Sequence, residues 1–230
     1  MNTEILNRGS SFSYRCNACG RCCFNKRIQT NPYEVLRLAR NLGISTGEFT
    51  LHYLEKEGPY LGIVETGACV FLSEKGCDVH ADRPLACRTY PIGRWVSGGG
   101  EETFRELKPH PQTEGVYGRD TTVEHFLKQQ GVQSYVEAAD RYLALFDRLF
   151  DALQLVLPSD PALTHDAQTA MFTRDESDIP AFMEWLDVDR AVERYCTEHG
   201  LAVPYENREI INLHILAIDQ ELDKLTGNQP

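Results

Sequence analysis

Apolar positions fall into helical period early in the chain. Thr30-Asn31, Pro32 and Glu34 precede Val35, Leu36, Leu38, Ala39 and Leu42, and Gly43 follows, which predicts a capped helix with a defined stop. A second helix is expected from Ser45, which forms a capping-box pattern with Glu48, to Gly58-Pro59. The period then shortens. Leu61–Glu65 and Cys69–Leu72 read as strand-like stretches around Thr66-Gly67. Ile92–Val96 and Thr103–Leu107 read as a hairpin across Ser97-Gly98-Gly99-Gly100. Cys16 through Cys23 follows neither period and opens the fold as an irregular loop.

Beyond residue 118 the pattern turns helical. Thr121 and Glu124 offer another capping box, and Tyr135, Val136, Ala139, Tyr142, Leu143, Phe146, Leu149, Phe150 and Leu153 make one long amphipathic face ending near Pro158. Asp160-Pro161 restarts a helix, Asp187 caps another that stops at Gly200, and Glu206 to Leu225 is the last. Trp95, Trp185 and the aromatic face read as core. No repeat or low-complexity segment interrupts the chain. The expected fold is mainly α with a small antiparallel β element. A cysteine-cluster region over 1–118 is expected to pack with a helical region over 119–230 as one compact unit.

Composition narrows the classes. With 42% hydrophobic and 25% charged residues in 230, the chain fits a globular protein with a real core, which excludes wholesale disorder and fibrous repeats. No apolar run reaches the roughly 18 residues of a membrane span, and Met1 to Ser13 lacks the apolar core of a secretory signal. A cytoplasmic protein with no membrane partner is expected. The formal charge of −11 is uneven: residues 1–110 carry +2 and residues 111–230 carry −13. The acidic half lacks the basic footprint that nucleic-acid binding needs. A protein partner is open.

Eight cysteines change the picture more than charge does. Seven lie between 16 and 87: Cys16, Cys19, Cys22, Cys23, Cys69, Cys77 and Cys87. Disulfides suit them poorly, because the cluster count is odd and adjacent Cys22-Cys23 are awkward partners for separate bridges. Buried structural thiol suits Cys196, alone on a helical face beside Tyr195. Metal ligation suits the seven. The Cys-x-x-Cys-x-x-Cys run is the loop that supplies three corners of an iron–sulfur cluster, with a fourth thiol arriving from elsewhere. Zinc is the rival, since Cys-x-x-Cys pairs form thiolate knuckles and Cys77-Asp78-Val79-His80 has knuckle-like spacing. Seven thiolates are enough for two centres.

Basic residues gather at the ligands. Arg15, Arg21, Lys26 and Arg27 lie in a stretch without acids, as do Arg83, Arg88 and Arg94. Guanidinium groups there would stabilise an anionic centre or an anionic ligand beside it, which makes Arg21, Arg83 and Arg88 candidate cofactor-binding residues. Tyr90-Pro91 is expected to pack the strand that returns from the cluster.

Three blocks now carry a resemblance. Cys16-x-x-Cys19-x-x-Cys22-Cys23, Gly67-Ala68-Cys69-Val70-Phe71-Leu72, and Cys77 through Pro91 resemble the CxxCxxCC, or YkgJ-type, cysteine-cluster family over roughly residues 14–118. The resemblance implies zinc or iron chelation by the seven thiols, with Arg83-Pro84 and Arg88-x-Tyr90-Pro91 beside the site. A related branch includes the flagellin lysine N-methylase of enteric bacteria, for which an iron–sulfur cluster is implied. Many relatives carry a further Cys in a His-Pro-x-Cys context. Here His110-Pro111-Gln112 runs on to Thr113, leaving His110 as a substitute ligand beside the knuckle candidate His80.

The expected function is metal binding at a thiolate-rich site. An iron–sulfur cluster is preferred on loop spacing, in a structural, chelating or redox role. A zinc module and a cluster-dependent protein-modifying transferase are the alternatives. No catalytic residue is assigned. Gly-x-Gly-x-x-Gly, the P-loop, Gly-x-Ser-x-Gly and His-Glu-x-x-His are all absent. The histidines at 52, 125, 165, 199 and 214 stand singly and read as surface or satisfied core, and Asp175 through Asp178 reads as a solvated loop.

Overall fold

The computed structural model describes residues 4–56, 58–97, 100–152 and 184–226. The helix restart at Asp160-Pro161, His165 and the acidic run at Asp175–Asp178 lie outside the described residues. The chain divides into two compact units, Met1–Gln29 with Leu61–Val136, and Thr30–Tyr60 with Glu137–Pro230.

The first unit is built on antiparallel ribbons. Strands β1 (Ile5–Leu6), β5 (Ile92–Val96) and β6 (Glu102–Glu106) form one sheet in the order β1-β6-β5. The β5–β6 hairpin is registered with Ile92 opposite Glu106 and Val96 opposite Glu102, as the spacing around the glycine run predicts. Strand β2 (Ser11–Arg15) pairs with β7 (Val116–Thr122), and β3 (Leu72–Ser73) with β4 (Gly76–Cys77). Helix α3 (Leu85–Thr89) joins β4 to β5, and α4 (Val123–Gln129) follows β7. Leu6, Phe12, Ile92, Phe104, Val123, Phe126, Leu127 and Val132 are the core, with Tyr14 and Leu85 packed against it. Phe12 lies edge-on to Phe126 at 5.0 Å between centroids, a favoured aromatic geometry.

The second unit is helical. Helices α1 (Pro32–Leu42) and α2 (Thr46–Tyr53) both start on complete capping boxes, Asn31 with Glu34 and Ser45 with Glu48. Helix α5 (Gln133–Ala152) carries the aromatic face, and α6 (Val188–His199) and α7 (Asn207–Thr226) complete the set. Asp187 caps α6 and Gly200 ends it in the left-handed conformation, both as expected. Thr46, fully buried, ties α2 to α6: its N–H donates to Asp189 Oδ2 at 2.7 Å and its hydroxyl to Asp187 Oδ1 at 3.0 Å. Tyr142 and His214 share a buried hydrogen bond of 2.8 Å, and Trp185 stacks on Phe146.

The expectation of a mainly α fold with one small β element is overturned. Helix is about 47% and strand about 20%, in several small antiparallel sheets with helices and strands mixed. The unanticipated strands include β1, β2 and β7, each paired with a segment about a hundred residues away in sequence, which local pattern does not report. Three local readings also shift. The Thr121 capping box gives way to a strand, because Thr121 donates to the Phe12 carbonyl at 2.7 Å while Thr122 caps α4. Leu61–Glu65 and Cys69–Leu72 meet through the isolated bridge Ile63–Cys69 instead of forming strands. Trp95 is half-buried, covered by the Arg105 guanidinium instead of the core. Among the described residues no helix is long and apolar enough to cross a membrane.

Candidate metal centre

All seven predicted ligands are in the first unit and all are free thiols; Cys16 is exposed and the other six are half-buried. The loop that carries the first four bends on Ala18, Gly20 and Asn25, which all adopt positive φ. Gly20 precedes a single 3-10 turn, Arg21–Cys23, in which the Cys23 N–H donates to the Gly20 carbonyl at 2.9 Å. Two backbone bonds then clasp the first block to the second: Asn25 N–H to Gly67 O at 2.7 Å, and Cys69 N–H to Cys23 O at 2.8 Å. Gly67 has φ of 83°, and a Cβ there would collide with the Asn25 side chain, so this crossing requires glycine. The β3–β4 hairpin pairs Leu72 with Cys77, which brings the third block alongside.

The thiols act on one another accordingly. Cys22 is held below the ordinary thiol range, first by a hydrogen bond from Cys23 and then by the Lys26 charge. Cys23, which keeps the proton of that pair, is pushed up, with burial and the Cys87 and Cys69 thiols adding to the effect. Burial also raises Cys69 and Cys77, and each is partly offset by a backbone N–H two residues on, from Phe71 and Val79. Cys16 accepts the same kind of bond from Ala18 N–H at 3.3 Å. Three sulfurs from three blocks are thus each wrapped by the i+2 amide, the arrangement that stabilises a thiolate. Among the described residues no three His, Cys, Asp or Glu already form a finished metal cage. The thiols of the first, second and third blocks still act on one another electrostatically.

The basic residues divide by role. Lys26, counted above only as part of a basic island, is half-buried with its ammonium 3.8 Å from the Tyr90 ring centroid. Desolvation lowers it, while Cys22, Cys87 and Cys23 pull it back up. Arg83 is lowered by burial and by Arg88, and drawn up by Cys87, Cys16 and Cys77. It donates to the His80 carbonyl at 2.7 Å and to Gln130 Oε1 at 2.9 Å. Arg88 is buried and commits its guanidinium to the carbonyls of Arg83, Ala81 and Gln130 and to the Tyr135 hydroxyl, lying 4.2 Å from that ring's centroid. It staples the turn between the last two cysteines. Arg21 is exposed on the 3-10 turn.

The two candidate histidines are otherwise engaged. His80 is exposed with its Nδ1 3.3 Å from Arg83, and His110 Nδ1 accepts from Gln112 N–H at 3.1 Å. Cys196 is buried in the second unit with Sγ toward the Ala202 carbonyl at 3.8 Å. Two tyrosines, Tyr14 and Tyr117, escaped the sequence reading, which placed Tyr90 alone of the three beside the site. Tyr14, Tyr90 and Tyr117 form an edge-to-face cluster, and the alternation of Phe12 and Tyr14 with polar neighbours was the available signal.

The donor set fits a thiophilic metal. It offers sulfur, with two cations close by, and a carboxylate, Asp78, beside Cys77. No solved structure matches this chain. Residues 15–110 match the family model CxxCxxCC, described as "Putative zinc- or iron-chelating domain". Over that span, somewhat under half of the 230 residues, the chain is similar to that family.

Proposed function

We propose that the first unit holds an iron–sulfur cluster through thiols drawn from Cys16, Cys19, Cys22, Cys23, Cys69, Cys77 and Cys87, in a structural, chelating or redox role. The observation that carries this reading is the repeated i+2 amide-to-sulfur arrangement at Cys16, Cys69 and Cys77. Such loops cradle sulfur as an anion. The Cys-x-x-Cys-x-x-Cys spacing supports iron–sulfur over zinc, and seven thiols exceed the four that one tetrahedral zinc takes up.

When bound, a cluster supplies an anionic iron–sulfide core able to exchange one electron. The chain's own residues supply the rest. Lys26 and Arg83 offset thiolate charge from within the unit, Arg88 fixes the 81–88 turn, and the Asn25–Gly67 clasp keeps the first two blocks in register.

The test is protein purified without oxygen and assayed for iron, zinc and acid-labile sulfide per chain, with EPR before and after reduction. Iron and sulfide in comparable amounts, with a reducible signal, are expected. Stoichiometric zinc without sulfide would replace the cluster with a zinc site. Absence of both metals would overturn metal binding by this unit.

A further inference from the structure

Two hydroxyls in the first unit are buried with nothing to bond. Tyr90 is 8% exposed, and neither its phenol oxygen nor that of Tyr117 has a hydrogen-bond partner. A buried unpaired hydroxyl is destabilising, a cost that phenylalanine would avoid in the same space. The two phenols are near neighbours: burial raises Tyr117 first, and a hydroxyl contact with Tyr90, short of full hydrogen-bond geometry, adds to it. Pairing them with each other does not solve the problem, because two hydroxyls bonded together still leave one proton without an acceptor.

Their position suggests the missing acceptor. Tyr90 follows Cys87 by three residues, at the end of α3. Its ring carries the Lys26 ammonium at 3.8 Å, and that ammonium responds to Cys22, Cys23 and Cys87. Tyr14 packs edge-on to Tyr90 at 6.1 Å and to Tyr117 at 5.0 Å. Tyr14 is raised by burial first and then by Cys16 and Cys22, and Cys22 also acts on Tyr117. The β2–β7 register sets Tyr117 opposite Tyr14 and Val116 opposite Arg15, the residue before Cys16, and Tyr90 joins the same ring cluster under Lys26, so both phenols belong to the wall next to the first ligand block. Metal-bound sulfur is an anionic acceptor, and outer hydrogen bonds to a metal's ligands fix their orientation and hold the metal in place.

We propose that Tyr90 and Tyr117 are positioning residues of the metal centre, their hydroxyls donating to ligand sulfur once metal is bound. The inference rests on the metal-centre reading above. It assigns the buried hydroxyls a partner that exists in the loaded protein alone, so their unpaired state belongs to the metal-free chain.

The test uses Tyr90→Phe and Tyr117→Phe in the full chain, loaded without oxygen with ferrous iron and sulfide, and separately with zinc alone. Two readouts are compared with the wild type: the rate of metal loss to excess EDTA, and urea unfolding of the metal-free protein. Expected is metal loss accelerated about 10-fold or more in at least one variant, with metal-free stability unchanged or increased. If both variants release metal at the wild-type rate, the hydroxyls are not donors. If faster release comes with an equally destabilised metal-free chain, the rings act through packing and the proposal also fails. A wild type that takes up neither metal overturns the underlying reading, and that outcome is visible without either variant.

Discussion

His214 shows how one side chain can make the second unit sensitive to acid. It is fully buried, its Nδ1 is shared with the Tyr142 hydroxyl, and burial lowers its pKa from 6.5 to about 3. In the unfolded chain the imidazole regains its ordinary affinity for a proton, so below about pH 6.5 the unfolded state binds more protons than the folded one. The contribution is fully present above that pH and is lost as pH falls toward about 3. Its slope approaches about 1.4 kcal/mol per pH unit within that window. His80 is lowered too and adds in the same sense, weakly, because it is exposed. Urea midpoints of metal-free protein at pH 7.5 and pH 5 should differ in this direction, and His214→Gln should remove most of the difference. An equal loss in the variant would move the acid sensitivity elsewhere. Sequence gave half of this residue: a lone histidine on a helical face reads as satisfied core. The tyrosine that satisfies it comes from α5 and could not be paired with it from spacing.

At the level of elements, local punctuation was the legible part. Asn31-Pro32-Glu34 and Ser45-Glu48 both produce the caps their residue types favour, and Gly43 and Gly200 both end helices with positive φ. Those signals act within four residues, where one chain segment holds all the information. The second helix stops at Tyr53, earlier than its expected Gly58-Pro59 end. Strands β2 and β7 were not legible, because Ser11 and Thr122 find one another only through the folded core. Thr46 belongs to the same class of surprise. It begins α2 and yet spends its hydroxyl on Asp187 and accepts from Asp189 N–H at 2.9 Å. Thr46→Val keeps the branching and removes those bonds, so the half-buried Asp189 N–H loses its hydroxyl acceptor and Asp187 Oδ1 keeps only the long bond from Arg190 N–H. Equilibrium unfolding should show a loss of about 1–3 kcal/mol, and a loss below about 0.5 kcal/mol would mean that water takes over both bonds.

For the whole molecule, the division into a ribbon-built unit that carries the seven clustered thiols and a helical unit whose one cysteine is the buried Cys196 has a measurable result. Metal bound to the folded state alone stabilises it by mass action, and that stabilisation is confined to the structure that forms the site. Hydrogen exchange before and after chelation should therefore separate the units. Amides around 16–27 and 67–91 should lose protection, while those of α6 and α7 should keep theirs. Uniform loss along the chain would mean that metal controls global folding. The lopsided charge pointed toward such a division without locating it. Helices α1 and α2 sit in the near-neutral half of the sequence but belong with the acidic helices, a grouping set by packing that charge does not report. The site was more legible than the fold, since the thiols and their spacing are a chemical statement on their own. Tyr14 and Tyr117 became visible only once the ribbons were formed, and so did the seat of the Lys26 ammonium on the Tyr90 ring.

The clasp between Asn25 and Gly67 sets an order of events for a chain emerging from the ribosome. Cys16, Cys19, Cys22 and Cys23 are made first, and all of α1 and α2 must follow before Gly67 and Cys69 exist to close against them. Until then four thiols stand on an open loop, with no strand to fix their register and no remote sulfur to complete a ligand set. An ion captured at that stage is held by a partial and exchangeable shell. The finished site is consequently a late product of synthesis, and the intervening helices act as a delay between offering the thiols and committing them.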